Sequence, residues 1–138
     1  DVIDWLKTRT DTDSLPVGLF GASTGAGAAL RAAADPRVTV NAVVSRGGRP
    51  DLAGEWLARV DAPTLLIVGG RDELVLELNR QALQAINVEC RLEVVPGATH
   101  LFEEAGTLEK VAELARDWFQ THVAAGKTQH EDTFGSDR

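Results

Sequence analysis

Four short apolar runs recur along the chain, and each of them stops at a glycine, a serine or a proline. Runs without alternating polar positions are typical of strands that are buried on both faces, as in a parallel sheet. The pattern therefore predicts four strands, at residues 15–20, 38–44, 64–68 and 91–95.

Helical patterns separate these runs. Residues 24–34 are rich in alanine, whereas residues 74–86 and 106–123 place apolar side chains at a spacing of about 3.6 positions. Two weaker patterns predict the end of a helix near residues 2–6 and a short connecting helix over 51–60. Strands that alternate with helices indicate right-handed crossovers within an α/β fold.

The fold class and the domain limits follow from this alternation. The sequence predicts a three-layer α/β/α domain over residues 1–124, with a mostly parallel sheet of about four strands. Residues 125–138 are polar and have no periodicity, so a disordered tail is predicted there.

Composition narrows the function classes. Among 138 residues, 43% are hydrophobic and 25% are charged, which is typical of a globular domain and not of a disordered chain. The net charge of −7 has the wrong sign for a nucleic-acid surface, and no apolar stretch is long enough to span a membrane. No basic signal segment is visible at the N-terminus, and Cys90 is the single cysteine. We therefore expect a cytoplasmic protein in which Cys90 is a small core residue.

A glycine-rich turn joins the first predicted strand to the first predicted helix. Residues 21–25, Gly-Ala-Ser-Thr-Gly, match the G-x-S-x-G pattern of a nucleophile elbow. In such a turn the small residues Gly21 and Gly25 relieve backbone crowding around Ser23. The next backbone N–H, that of Thr24, is then aimed at a developing oxyanion. This interpretation makes Ser23 the candidate nucleophile.

The same turn also fits a second pattern. Continued to Gly27, it reads G-x-x-x-G-x-G, which resembles the phosphate-binding loop of short-chain dehydrogenases. That resemblance implies a catalytic tyrosine, and the chain contains no tyrosine. The next strand ends in Ser45-Arg46 and not in the acidic residue that binds a ribose, although an arginine can accept a 2′-phosphate. Dinucleotide binding thus stays the alternative interpretation of this turn.

A serine nucleophile needs a base and an acid that orients the base. In hydrolases with this elbow, the chain order is serine, acid and histidine. Asp72 follows the third predicted strand and His100 the fourth, so we expect both at the same sheet edge as Ser23. The alternative roles are a helix N-cap for Asp72 and a solvated loop position for His100, and Glu73 is an alternative acid.

Three segments resemble the second half of an α/β-hydrolase, closest to the dienelactone hydrolase-like group. They are GLFGASTGAGAAL at the elbow, PTLLIVGGRDELV at the acid and RLEVVPGATHLFEE at the histidine. The resemblance covers about residues 1–124, and it implies Ser23 as nucleophile, His100 as general base and Asp72 as orienting acid, with no cofactor or metal. Dienelactone hydrolases proper have cysteine at the elbow, so the serine favours an esterase-like activity on a small acyl or ester substrate.

The resemblance also has implications for the number of strands in the domain and for its oligomeric state. A complete α/β-hydrolase has eight strands with the elbow after the fifth, so the loop that donates the second oxyanion N–H would precede this chain. The alternative function is an inactive half-hydrolase that keeps the triad residues but cannot form the oxyanion site, and that acts as an assembly or binding module. Similar sequences occur fused behind phosphoribosyltransferase domains, so the resemblance allows for such a domain before this one. The elbow strand, residues 16–21, would have an unpaired edge, which predicts a homodimer through residues 1–25.

Overall fold

The computed structural model describes the backbone of residues 17–135 and the side chains of residues 17–123. The helix predicted near residues 2–6, and most of the predicted dimer segment, lie outside the described residues. The elements follow one another as β1 (Gly18–Ala22), α1 (Thr24–Ala33), β2 (Ala42–Arg46), a 3₁₀ segment (Pro50–Arg59), β3 (Thr64–Gly69), α2 (Glu73–Ala85), β4 (Cys90–Val95) and α3 (Thr107–Gly135).

The four strands form one parallel sheet in the order β1-β2-β3-β4. This confirms the α/β fold class that the apolar runs predict. Because each crossover returns the chain to the same end of the sheet, the carboxyl ends of all strands meet at one edge. At that edge the register places Ala22 opposite Arg46, and Arg46 opposite Ile67. The turn that follows each strand therefore lies beside the turn that follows its neighbour.

Helices cover both faces of the sheet and give the three predicted layers. On one face, Leu30 of α1 packs with Val43 and Leu66 of the two central strands. On the other face, Trp118 of α3 and the buried ring of Phe102 cover the alternate side chains of the same strands. Burial on both faces is the physical reason why these strands read as uninterrupted apolar runs.

Two boundaries differ from the sequence pattern. β2 begins at Ala42 and not at residue 38, because residues 35–38 form a turn in which the Val38 N–H donates to the Asp35 carbonyl at 3.2 Å. The connection over Pro50–Arg59 is 3₁₀ and not α-helical, and it is interrupted at Gly54, whose φ is 54°. Short 3₁₀ pieces are common in connectors, where few residues must turn the chain sharply.

The last helix is longer than the sequence pattern predicts. α3 continues to Gly135, so residues 125–135 are helical where the sequence predicts a disordered tail. The segment contains no proline and several good helix formers. Its residues are therefore compatible with a helix, although no periodic apolar positions predict one. None of the helices that the structure describes combines the length and the apolar character that a membrane crossing requires.

β1 is the outermost strand of the described sheet. It pairs with β2 on one side, and its Phe20 side chain is 50% exposed. Gly18 lies directly against the ring of Phe119, where an added Cβ would be 2.7 Å from Cε1. This packing ties the strand to α3, while its free edge is the surface on which the dimer prediction depends.

Candidate active site

Ser23 occupies the single residue between β1 and α1. Its backbone has φ 53° and ψ −122°, a conformation that residues with a side chain rarely adopt. Such strain is characteristic of functional turns and persists only where the surrounding structure enforces it. The turn places Ser23 directly after β1, at the carboxyl edge of the sheet.

The close contact between α1 and β1 explains one of the two elbow glycines. A Cβ at Gly21 would lie 2.6 Å from the Gly25 carbonyl oxygen and 2.7 Å from Cα of Ala26. Both atoms belong to the backbone, so no side-chain rotation relieves the clash. A Cβ at Gly25 would meet no atom within 4 Å. The structure therefore requires glycine at position 21 but leaves room for a side chain at position 25.

The histidine and the acid lie beside the elbow. The Ser23 Oγ is 3.3 Å from Nε2 of His100, and Nδ1 of His100 is 2.7 Å from Oδ2 of Asp72. An ionised carboxylate only accepts hydrogen bonds, so the imidazole proton is assigned to Nδ1, and Nε2 is left to accept from the serine hydroxyl. The structure therefore brings the three side chains together, with His100 between Ser23 and Asp72.

Asp72 stands at the N-cap position of α2, where an aspartate often bonds to the helix backbone. Its side chain makes no such capping bond and is turned to His100 instead. Its side chain is only 15% exposed, against 39% for that of His100. The carboxylate is therefore largely screened from water, while the imidazole remains accessible. Glu73 is the first residue of α2, and the contact with the imidazole is made by its neighbour.

A local hydrogen-bond pair shapes the loop that carries His100. The Thr99 N–H donates to one carboxylate oxygen of Glu104 at 3.0 Å, and the Thr99 hydroxyl donates to the other at 2.8 Å. These bonds to Thr99 lower the pKa of the Glu104 carboxyl below its ordinary value. The two bonds hold the loop between Thr99 and Glu104 in its observed conformation. No local pattern in the sequence distinguishes Glu104 from the adjacent Glu103.

The loop after β2 also contributes to the site, a role that the sequence pattern does not predict. The Ser23 N–H donates to the Arg46 carbonyl at 3.2 Å, and the Arg49 N–H donates to the Ser23 carbonyl at 3.0 Å. Both ends of the loop therefore hold the elbow backbone. The available signal was the Gly47-Gly48 pair at a predicted strand end, which is typical of a close backbone approach.

The other potentially reactive side chains of the described residues do not contact Ser23. Burial raises the pKa of the Cys90 thiol to about 11, which keeps it protonated at neutral pH and makes it a poor nucleophile. His122 packs on Trp118 with its ring 4.1 Å away and lies 3.5 Å from the Glu89 carboxylate, away from Ser23. Within the described residues, no cluster of three or more histidine, cysteine or acidic side chains is arranged to hold a metal ion.

Comparison with known proteins connects this geometry to a family. The family model of the dienelactone hydrolase family matches residues 1–128. The chain belongs to the dienelactone hydrolase family. A dienelactone hydrolase from Anabaena variabilis superimposes with a TM-score of 0.81 at 57% sequence identity, over 87% of this chain and 56% of that one. The esterase domain of a Rhodothermus marinus protein shares the fold, with a TM-score of 0.72 at 19% identity, over 88% of this chain and 67% of that one.

One relative with high sequence identity is a much longer protein than this chain. A Mycobacterium tuberculosis protein named "Putative phosphoribosyl transferase" is 72% identical over 123 residues, which are 89% of this chain and 28% of that protein. The chain therefore spans about half the length of the Anabaena protein and less than a third of the mycobacterial one. The family membership and the described parallel sheet together establish a hydrolase-type fold.

Proposed function

We propose that this chain carries the reaction centre of a serine esterase-like acyl hydrolase. The observation that carries the proposal is the pair of contacts that links Ser23 to His100 at 3.3 Å and His100 to Asp72 at 2.7 Å. A serine hydroxyl becomes nucleophilic when a base removes its proton, and a buried carboxylate keeps that base in the required tautomer. The substrate class is a small acyl or ester compound, and the chemistry needs no cofactor or metal.

The acylation step uses the three side chains in turn. The Ser23 hydroxyl transfers its proton to Nε2 of His100 while Oγ attacks the carbonyl carbon of the ester. Asp72 stabilises the resulting imidazolium through Nδ1. The tetrahedral intermediate then collapses, the bond to the alcohol oxygen breaks, and His100 returns the proton to the leaving alkoxide. The acyl group is now bound to Ser23 as an ester.

Deacylation repeats the sequence with water as the nucleophile. His100 accepts a proton from water, the hydroxide attacks the acyl carbon, and the carboxylic acid leaves as Ser23 regains its proton from His100. Serine in place of a thiol favours this general ester chemistry.

The negative charge on the intermediate needs hydrogen-bond donors. Thr24 is the first residue of α1, so its backbone N–H has no acceptor within the helix and lies at the positive end of the helix dipole. We assign one oxyanion contact to this N–H. A single missing donor lowers the rate by about 10²–10³-fold in such sites, so a second donor from another part of the protein would raise the activity by that order.

A fluorophosphonate probe tests the proposal directly, because it reacts only with an activated serine. We expect the probe to label the wild-type protein and to leave Ser23→Ala unlabelled. Intact-mass spectrometry measures the adduct, and circular dichroism verifies that both samples are folded. Cys90→Ala is the matched control and should be labelled like the wild type. A folded wild-type protein without any adduct would overturn the proposal and favour a non-catalytic assembly or binding module.

We also propose that the protein is a cytoplasmic homodimer that associates through residues 1–25. The support comes from β1, which has one free edge in the described sheet and carries a half-exposed Phe20. Unpaired backbone groups that become buried cost about 1–3 kcal/mol each, and pairing two copies of the edge would satisfy them.

Sedimentation equilibrium at micromolar concentration measures the assembly. We expect the mass of a dimer for the wild type and a shift toward the monomer for Phe20→Lys, because a charge on the edge strand opposes pairing. Leu108→Lys is a suitable control, since Leu108 is similarly exposed, at 51%, but lies on α3. A stable wild-type monomer would refute the dimer.

A further inference from the structure

The loop between β2 and the 3₁₀ segment touches both the nucleophile and the base. Arg46 and Arg49 bond to the backbone of Ser23, as described above. Between them, Gly47 lies against the imidazole, where an added Cβ would be 3.4 Å from Nδ1 of His100. The Gly47 N–H donates to the Ile67 carbonyl at 2.7 Å and ties the loop to β3. The position of this loop therefore affects the distance between Ser23 and His100.

A side chain from α2 holds the middle of the loop. Asn79 is fully buried, and its Nδ2 donates to the Gly48 carbonyl at 3.1 Å and to the Val75 carbonyl at 2.8 Å. The helix that carries Asn79 begins directly after Asp72. Through this one amide, the helix next to the acid is joined to the loop that touches the base and the nucleophile.

The buried amide of Asn79 has one polar atom without a partner. Oδ1 of Asn79 has no hydrogen-bond partner in the described structure, and neither has Oγ of Ser45, a buried residue that lies against Gly48. A buried polar atom without a partner is destabilising; an apolar side chain of similar size would remove the unpaired Oδ1 but would also remove the donor to the Gly48 carbonyl. The bond to the Gly48 carbonyl is thus the contact of Asn79 that a leucine at this position would lack.

We propose that Asn79 is a positioning residue for the reaction centre. Its bond to the Gly48 carbonyl fixes the 46–49 loop, and the loop in turn fixes the Ser23 hydroxyl against Nε2 of His100. The inference rests on the proposed serine hydrolase function, since it concerns the alignment of the same groups. Asn79 itself does not touch the reacting atoms.

Asn79→Leu and Asn79→Thr together test this role. Leucine removes both bonds, whereas the threonine hydroxyl can still donate to the Val75 carbonyl one turn earlier but is too short for Gly48. We expect both variants to react with the fluorophosphonate probe about ten- to a hundredfold more slowly, because small displacements of reacting groups have effects of this size. The pH profile of labelling should shift as well, since the contact of the loop with the imidazole changes.

The matched control removes a similar bond far from the site. Asn87 donates through its side-chain Nδ2 to the Ala58 carbonyl at 3.2 Å, near the amino end of β4. Asn87→Leu should therefore be labelled at the wild-type rate. If either Asn79 variant is folded and reacts at the wild-type rate with an unchanged pH profile, the positioning role is wrong. Because threonine preserves the helix bond, it keeps the test valid should the leucine variant not fold.

Proton NMR separates this inference from the proposed function. We expect the imidazole N–H between His100 and Asp72 to give a downfield resonance, which its loss in His100→Gln would assign. We expect the resonance to shift or broaden in both Asn79 variants and to be unchanged in Asn87→Leu, whether or not the probe labels the protein. An unlabelled wild type with a resonance that responds to Asn79 would refute only the hydrolase proposal. An unchanged resonance in the Asn79 variants would refute the positioning role.

Discussion

If Asp72 orients His100 as proposed, its replacement by asparagine is expected to lower the rate of fluorophosphonate labelling, and of any ester hydrolysis, by about four orders of magnitude, the size of this effect in Ser-His-Asp proteases. The side chain keeps its size, and the change acts on the proton of His100. The carboxylate accepts from Nδ1 at 2.7 Å, so Nε2 is free to take the serine proton. An amide can donate to Nδ1, which moves the imidazole proton to Nε2, and a protonated Nε2 cannot act as base.

Asp117→Asn provides the control for this prediction. Asp117 is an exposed residue of α3 whose carboxylate lies 3.8 Å from Arg116, and the loss of its charge should leave labelling unchanged. The measurement is the second-order labelling rate constant of each variant, with circular dichroism spectra to establish folding. If Asp72→Asn reacts within about tenfold of the wild-type rate, the carboxylate does not orient the base in the proposed way.

The second large effect is expected at the elbow glycine that the helix packs against. We expect Gly21→Ala to slow labelling by at least about 10²-fold, because its methyl group would displace the backbone of Gly25 and Ala26 and move Ser23 with it. The same overpacking should lower the free energy of unfolding by about 1–3 kcal/mol. Urea denaturation measures the stability, and the probe measures the reactivity.

Gly25→Ala is the matched variant, since it adds the same methyl group in the same motif. Nothing lies within 4 Å of the added Cβ, and position 25 is inside α1, where alanine is a better helix former than glycine. We expect wild-type labelling and a gain in stability of about 0.5–1 kcal/mol. Equal behaviour of the two variants, in either direction, would contradict the packing explanation of the elbow.

Much of the fold was predictable because its signals are local. The central strands β2 and β3 are buried on both faces, and burial of this kind leaves an apolar run that can be recognised without any partner. The order serine, acid, histidine was equally accessible, since Ser23, Asp72 and His100 each follow a predicted strand. In a parallel sheet those positions share one edge, so the topology alone brings the three residues near each other.

Other properties depend on contacts between residues that are distant in the sequence, and these only the tertiary structure decided. Gly21 and Gly25 are equivalent in the motif, and the packing of α1 on β1 makes one of them indispensable. By sequence Asp72 could cap α2 or contact a histidine, and in the structure its side chain makes no cap bond and lies 2.7 Å from Nδ1 of His100. Asn79 shows no local signal of its bond to Gly48, because 31 residues separate the two partners. The periodicity of apolar residues indicates which side of a helix or strand is buried. Which residues it contacts on that side depends on how the helices and the sheet pack together.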